Sequence, residues 1–373
     1  MKIEIEKKDL LTLLSKTQNI VEKRNTMPIL VNVLFEADQG NLKVFATDLE
    51  VSLTDQMECE VHEKGRVAVN AKNFFDIIKE LPDGKILLEK QENNWLRIQQ
   101  QSSEFNLVGI SPDEYPVFPS YNTNDFIKMQ SSVFSEMIEK TIYSVSTDET
   151  RYHLNGVYFE KIPQEAGTTY RMVATDGHRL SLVDRFSEVK DEKATQPVGV
   201  IIPRKGLQEI RKMLEAIDGE FEMAIEGAQL IVKHNSTVLM IRLIEGKYPN
   251  YQQLIPQVLP QKLKVDRDIL FSSLKRVSLL SNQKSKGVTF EFSNGKMEIS
   301  SNNPELGDAK EEIPVEYNGN EFKIGFNAKY IIDVLSSISD ESVDISLNDQ
   351  LSPGLLTPTS DKAYTCVVMP MRI

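Results

Sequence analysis

Residues 174–180 read ATDGHRL. Asp176, His178 and Arg179 sit beside Gly177, the residue type that turns a backbone through positive φ at least cost. A carboxylate and an imidazole two residues apart on a strand project from one face. That is the outline of a general acid–base pair, with a guanidinium at hand for an anion. The rest of an enzyme is missing. No G-x-S-x-G elbow places a nucleophile. No G-x-x-x-x-G-K-[ST] loop cradles a phosphate. His62, His153, His178 and His234 show no H-E-x-x-H spacing. We expect no intrinsic catalysis, no metal and no cofactor. A related stretch, FATDLEVSL at 45–53, keeps Ala-Thr-Asp and loses Gly-His-Arg. The shared Thr-Asp reads as a strand end whose Asp accepts backbone donors in a turn. Gly177, His178 and Arg179 read as an addition, in which Gly177 allows close approach and His178 and Arg179 offer hydrogen-bond donors.

The elements that must position this turn recur three times along the chain. Amphipathic helices are predicted at KDLLTLLSKT (8–17), SVFSEMIEKT (132–141) and DILFSSLKRV (268–277), each with apolar residues three and four apart. Alternating strands follow at VLFEA (33–37), VYFEK (157–161) and VTFEF (288–292). The third copy of the Thr-Asp turn, ISSNNPELGDA at 299–309, is more distant. Second helices are predicted at 71–84, 203–219 and 327–341. The Thr-Asp markers are 128 residues apart, and the lysines opening the second helices, at 72, 205 and 329, are 133 and 124 apart. Three α+β domains follow, each with two helices on an antiparallel sheet. Their expected ranges are 1–126, 127–256 and 257–373, with boundaries after Pro-, Tyr- and Asn-rich loops.

The chain has 373 residues, two cysteines (Cys59 and Cys366) and no long apolar run. A disulfide framework and a membrane span are therefore not expected, and the free thiols point to the cytoplasm. The net charge of -12 argues against a polyanionic partner when taken alone. Distribution changes that reading. Helices taken as 7–24, 71–81, 131–141, 203–215, 266–286 and 327–338 carry 18 basic and 11 acidic residues, leaving the excess acid to sheets and loops. A basic interior under an acidic exterior suits a structure that surrounds a polyanion.

MPILVNVLFEA, RYHLNGVYFE, VATDGHRL, IIPRKG, GFNAKYIIDVL and YTCVVMPMRI, in that order from end to end, resemble the bacterial sliding clamp family, beta subunits of the replicative DNA polymerase III holoenzyme. The resemblance implies a DNA clamp fold: three tandem similar domains per chain and two chains joined head to tail in a closed ring, so that one chain forms half of it. It implies a non-catalytic processivity factor that encircles double-stranded DNA without reading its sequence. Partners would be the replicative polymerase, a separate ATP-driven clamp loader and repair proteins, all docking through short linear peptides; no membrane is implied. A peptide-binding adaptor that forms no ring is the alternative.

By the same resemblance, Arg24, Lys72, Tyr152 and His153 correspond to DNA contacts, with Arg204 and Lys205 beside them. His153 stands where the family carries Tyr, and Asp148 where it carries an amide, which argues against position 148 as a phosphate contact. The partner-peptide pocket maps to Leu154, Thr175, Gly177, His178, Arg179, Leu180, Pro249, Gln253, Leu254, Val367, Met369, Pro370, Met371 and Arg372, with Asn327 and Tyr330 at its rim. Gln253 replaces a common Arg. Phe105 and Leu107 on the strand EFNLV would meet Leu279 and Leu280 of a second chain.

Overall fold

The computed structural model describes residues 1–21, 27–122, 125–189 and 197–372. Six α-helices occur among them: α1 (Lys7–Thr17), α2 (Ala71–Glu80), α3 (Ser131–Glu139), α4 (Arg204–Glu215), α5 (Arg267–Val277) and α6 (Ala328–Ser336). Side chains close several of their first turns. Asn70 accepts from the Asn73 amide, Asp266 from Ile269 and Asn327 from Lys329, each satisfying a donor that the helix leaves open.

Several helices are shorter than their sequence patterns suggest. α2 stops before Leu81, which is extended because Pro82 follows it. α5 gives way to a 3-10 turn at Ser278–Leu280, and the Asn282 carboxamide then accepts from the Lys284 and Ser285 amides. Ser and Asn here compete with the helical ladder for backbone groups. Lys284 and Lys286 consequently leave the helix, so the positive excess on α5 is smaller than 266–286 would carry; Arg24 lies outside the described residues. No described helix is long and apolar enough to cross a membrane.

The contacts group the chain into two compact units, Met1–Ser132 with Lys205–Leu243, and Val133–Arg204 with Ile244–Ile373. The first unit holds a five-stranded and a nine-stranded sheet. In the smaller the order is Glu60–Glu63, Lys2–Glu6, Lys85–Lys90, Leu96–Gln100, Ser103–Leu107. In the larger, strands of repeat one join strands of repeat two where Val51–Glu58 pairs antiparallel with Thr237–Arg242, Leu53 opposite Leu239. The second unit repeats this junction. Arg179–Ser187 of repeat two pairs with Tyr364–Val368 of repeat three, Leu180 opposite Val367, inside an eight-stranded sheet. Its four-stranded sheet runs Gly307–Pro314, Lys296–Asn303, Gly287–Ser293, Phe322–Asn327. Ser103–Leu107 and Gly307–Pro314 each end a sheet.

The predicted alternating strands all form, as Asn32–Asp38, Gly156–Gln164 and Gly287–Ser293. Their Phe residues lie in the core. Phe35 meets Phe74 of α2 edge-on at 5.3 Å, Phe159 meets Phe134 of α3 at 5.7 Å, and Phe290 meets Phe326 at 5.7 Å. The apolar stripes of α1 (Leu10, Leu13, Leu14) and α5 (Leu270, Leu274) are fully buried. Both cysteines are free, and burial pushes the Cys59 thiol up to about 11.

A four-charge cluster ties α3 to the chain turn at Asp361 within the second unit. The Arg185 guanidinium donates to Glu136 at 2.8 Å and to Asp361 at 2.6 Å, and Lys140 donates to the same two carboxylates at 2.6 and 2.7 Å. Desolvation works to raise both acids, but the bonds from Arg185 and Lys140 outweigh it, leaving Glu136 and Asp361 below their ordinary values. Acids with depressed folded pKa values stabilise the fold above their unfolded pKa, and that contribution is lost as pH falls through the lower folded value. Thermal melts from neutral pH to below pH 4 should show Arg185→Ala destabilised by about 1 kcal/mol or more at neutral pH. The gap from the unmutated chain should close as the acids protonate; a constant gap would exclude the cluster as its source.

Candidate functional site

The turn that drew attention in the sequence is built twice, once in each unit. In repeat two, the Thr175 hydroxyl accepts from the Gly177 amide, and Asp176 Oδ1 accepts from the His178 and Arg179 amides at 2.9 and 3.1 Å. In repeat one, Thr47 accepts from Leu49, and Asp48 Oδ1 accepts from Glu50 and Val51 at 2.9 and 2.6 Å. The third residue of both turns has positive φ, 89° at Gly177 and 76° at Leu49. Leucine therefore holds in repeat one a conformation that costs a side-chain-bearing residue about 1 kcal/mol or more. In repeat two an added Cβ would also meet the end of a flexible side chain. A Cβ at position 177 would lie 2.8 Å from Arg151 Nη1.

Arg179 is 8% exposed, and its guanidinium is committed to this chain. Nε donates to Asp176 Oδ2 at 3.1 Å, Nη1 to Asp333 Oδ2 at 2.6 Å and Nη2 to the Tyr143 carbonyl at 2.5 Å. The Tyr143 and Tyr330 rings lie 5.3 and 4.5 Å from its central carbon. This corrects the reading of Arg179 as a donor to a ligand: a buried cation is stable only when paired, and here the pairing is internal. His178 is exposed and stacks on Tyr330 at 6.5 Å, and its carbonyl accepts from the Met369 amide at 2.8 Å.

Leu154, Leu180 and Val367 pack with Tyr248 and Tyr251 in one apolar cluster, against which Leu254 is partly buried. Pro249 is half-buried and Gln253 exposed on the neighbouring segment. The Thr175 hydroxyl also donates to the Arg179 carbonyl at 2.6 Å, closing the turn beneath this wall. Asn327 caps α6, so its side-chain oxygen is occupied by the Lys329 amide. Met369 and Pro370 are half-buried. Met371 pairs with the Gly325 carbonyl, and with Arg372 it lines a different cleft of about 400 Å³ beside Asn282, Ser285 and Thr289. The structure thus gathers most of the expected pocket residues around Leu180 and sets Met371 and Arg372 on a second cleft.

The short helical segment Glu149–Leu154 supplies the remaining second-unit candidates. Asp148 caps it, accepting from the Thr150 amide and hydroxyl and from Arg151 Nε. Its carboxylate is occupied in shaping the segment, a structural use for the residue that stands out as acidic. Tyr152 is 57% exposed, and the His153 ring meets it edge-on at 5.7 Å. Arg204 is partly exposed at the start of α4.

Three models of the DNA polymerase III beta subunit match consecutively: its N-terminal domain at 1–119, central domain at 128–250 and C-terminal domain at 252–372. The beta sliding clamp of Caulobacter vibrioides (strain NA1000 / CB15N) is 33% identical over 375 residues, and that of Escherichia coli (strain K12) 30% over 381, with both chains fully covered in each case. This chain belongs to the beta sliding clamp family. Solved structures agree. The DNA polymerase III subunit beta from Pseudomonas aeruginosa superimposes with a TM-score of 0.94 at 32% identity, and a sliding clamp from Bartonella birtlesii bound to griselimycin with 0.94 at 31%, each over the whole of both chains. The clamp fold accounts for three similar α+β domains of antiparallel sheets with few helices.

Two cations of this clamp-family chain are already engaged. Lys205 forms an ion pair with the buried Asp48 carboxylate, which corrects its reading as a cation free to meet phosphate; it anchors the repeat-one turn. Lys72 is exposed and pairs with Asp76 one helical turn on, at 3.0 Å. Sequence reasoning missed Asp333, Tyr143 and Tyr248 around the repeat-two turn. Only Asp333 carried a signal, its four-residue spacing from Lys329 on α6. It also missed that Glu4, Glu60 and His62 each bring a donor atom within 4.8 Å of the others on the first unit's surface. If Arg151 is what makes position 177 glycine, Gly177→Ala should cost more in the unmutated background than in Arg151→Ala. A double-mutant cycle by denaturant titration should give coupling of about 1 kcal/mol; strict additivity would leave backbone conformation as the sole cause.

Proposed function

We propose that this chain is a DNA sliding clamp, a head-to-tail homodimeric ring that encircles duplex DNA and tethers the replicative polymerase and other partners to it. The observation that carries this reading is an unfilled strand junction. The second strand of the Thr-Asp hairpin is Val51–Glu58 in repeat one, Arg179–Ser187 in repeat two and Gly307–Pro314 in repeat three. The first two pair with the last strand of the following repeat, Thr237–Arg242 and Tyr364–Val368. The third ends its sheet, and so does Ser103–Leu107, the corresponding strand of repeat one. A second copy supplies to each end the strand that the other two junctions already have. Phe105 is 39% exposed on one edge strand and Leu279 75% exposed beside the other, so both can be covered by the partner with Leu107 and Leu280.

Each chain contributes three clamp domains, which we divide at 1–126, 127–256 and 257–373. The ring holds DNA by topology and catalyses nothing. Phosphate contacts are consequently few and exchangeable, and Lys72, Tyr152, His153 and Arg204 supply them with Arg24. Partners insert short peptides along Leu154, Thr175, Gly177, His178, Leu180, Leu254, Val367 and Met369, where apolar walls meet a few polar backbone groups. The chain works in the cytoplasm, where the DNA is, and a separate ATP-driven loader opens the ring.

Retention on nicked circular DNA should be lost when the circle is linearised; retention that survives linearisation would favour an adaptor that never closes. Phe105→Asp should convert a dimer of about 85 kDa, twice the 42.4 kDa chain, into monomer on size exclusion and abolish retention while peptide binding persists. A dimer unaffected by that charge would place the interface elsewhere.

A further inference from the structure

Asp333 lies on α6, outside the set of residues that the family resemblance maps to the pocket. Its Oδ2 accepts from Arg179 Nη1 at 2.6 Å and from Lys329 Nζ at 2.9 Å. We propose that Asp333 is a positioning and specificity-determining residue for the peptide pocket, withdrawing Arg179 from ligands so that the pocket gives a carboxylate no preference over a neutral apolar peptide end. This rests on the pocket reading given above.

The argument begins with the donors. All three nitrogens of the Arg179 guanidinium donate within the chain, to Asp176, Asp333 and the Tyr143 carbonyl. Asp176 cannot release Arg179 without disturbing the turn, because its other oxygen holds the His178 and Arg179 amides. Asp333 has no such backbone duty, so it is the separable anchor. Charge follows the same geometry. Arg179 and Lys329 meet Asp176 and Asp333, two cations against two anions, and the cluster is neutral. A peptide carboxylate arriving beside His178 therefore finds no uncompensated cation. Position follows as well. The Arg179 carbonyl holds Thr175, and the His178 carbonyl holds Met369, so a guanidinium that swings away pulls on both sides of the pocket. The planar fork is held by rings on two sides, an arrangement that Lys could not reproduce.

Removing the Asp333 charge should therefore do two things at once. It should loosen the turn, weakening apolar ligands, and it should return a donor and a net positive charge to the pocket, favouring acidic ones. Two peptides with a Gln and a Leu-Phe end, identical except for an amidated or a free C-terminal carboxylate, read these effects separately by fluorescence anisotropy. The full-length chain should bind both within about twofold, a difference of roughly 0.4 kcal/mol. Asp333→Asn should bind the amidated peptide about tenfold more weakly and the acid peptide less so, with the new preference diminished by salt. Asp333→Glu should restore the original ratio. Combining Asp333→Asn with Lys329→Gln returns the net charge to its starting value; the acid preference should persist there, because Arg179 is still free. Loss of the preference in that double variant, equal weakening of both peptides or no change would each overturn the proposal.

A readout without peptide keeps the two readings apart. The Arg179 Nη1 protons, which Asp333 accepts, should be protected from exchange, by NMR, in the unmutated chain and in Asp333→Glu, and unprotected in Asp333→Asn. If the unmutated chain bound neither peptide, the pocket reading would fall. An Arg179 signal protected equally in Asp333→Asn would overturn the role given to Asp333 whatever the peptides do.

Discussion

A strand with one open side is the constraint on which this molecule depends. Backbone N–H and C=O groups must be satisfied, and a sheet edge leaves a row of them waiting. Here the same strand, the second of the Thr-Asp hairpin, solves the problem by pairing with the next repeat. Leu53 opposite Leu239 and Leu180 opposite Val367 are two instances of one contact. The pairing joins repeats so intimately that compactness divides the chain into two units while sequence similarity divides it into three. Extending one repeated contact to its third instance yields the proposed ring with no new type of interaction. It also explains why the chain carries apolar residues such as Leu279 in the open.

The junction also positions the candidate site. The Thr-Asp turn sits at the start of the joining strand in repeats one and two. In repeat one, Asp48 is held by Lys205 of α4, and Leu49 takes the positive φ. In repeat two, the same turn faces the C-terminal strand. Gly177 makes room for Arg151, and Arg179 reaches Asp333. A scaffold feature used twice for structure has been opened, once, toward a surface.

Much of this was legible in the sequence because periodicity and repetition report on burial and order. The three apolar-x-Phe-Glu strands fall where alternation placed them, and the Asp of the shared turn does accept two backbone amides in each copy. Helix ends were legible only where a local signal existed. Pro82 stops α2, whereas the end of α5 depends on Ser and Asn side chains that also occur inside helices. Charge was the least legible quantity. Arg179 and Lys205 read from sequence as groups facing a ligand, yet each is occupied by a partner distant in sequence. Spacing says which residues share a face; it says nothing about which opposite charge the fold brings to meet them.

That occupancy bears on how a ring could slide. A surface of unpaired lysines would hold phosphate through many released counterions and resist movement. Lys72 already has Asp76 one turn away, exposed and exchangeable, while Lys205 is locked to a buried carboxylate. An exposed intrahelical pair is worth only about 0.3–0.5 kcal/mol, so a passing phosphate can compete for Lys72 and yield it again at little cost. Lys205 cannot make that exchange without leaving Asp48 buried and unpaired. The two lysines hold corresponding places in successive repeats. Their carboxylate partners differ in burial, and that difference suits Lys72 to the proposed transient contact and leaves Lys205 to the scaffold.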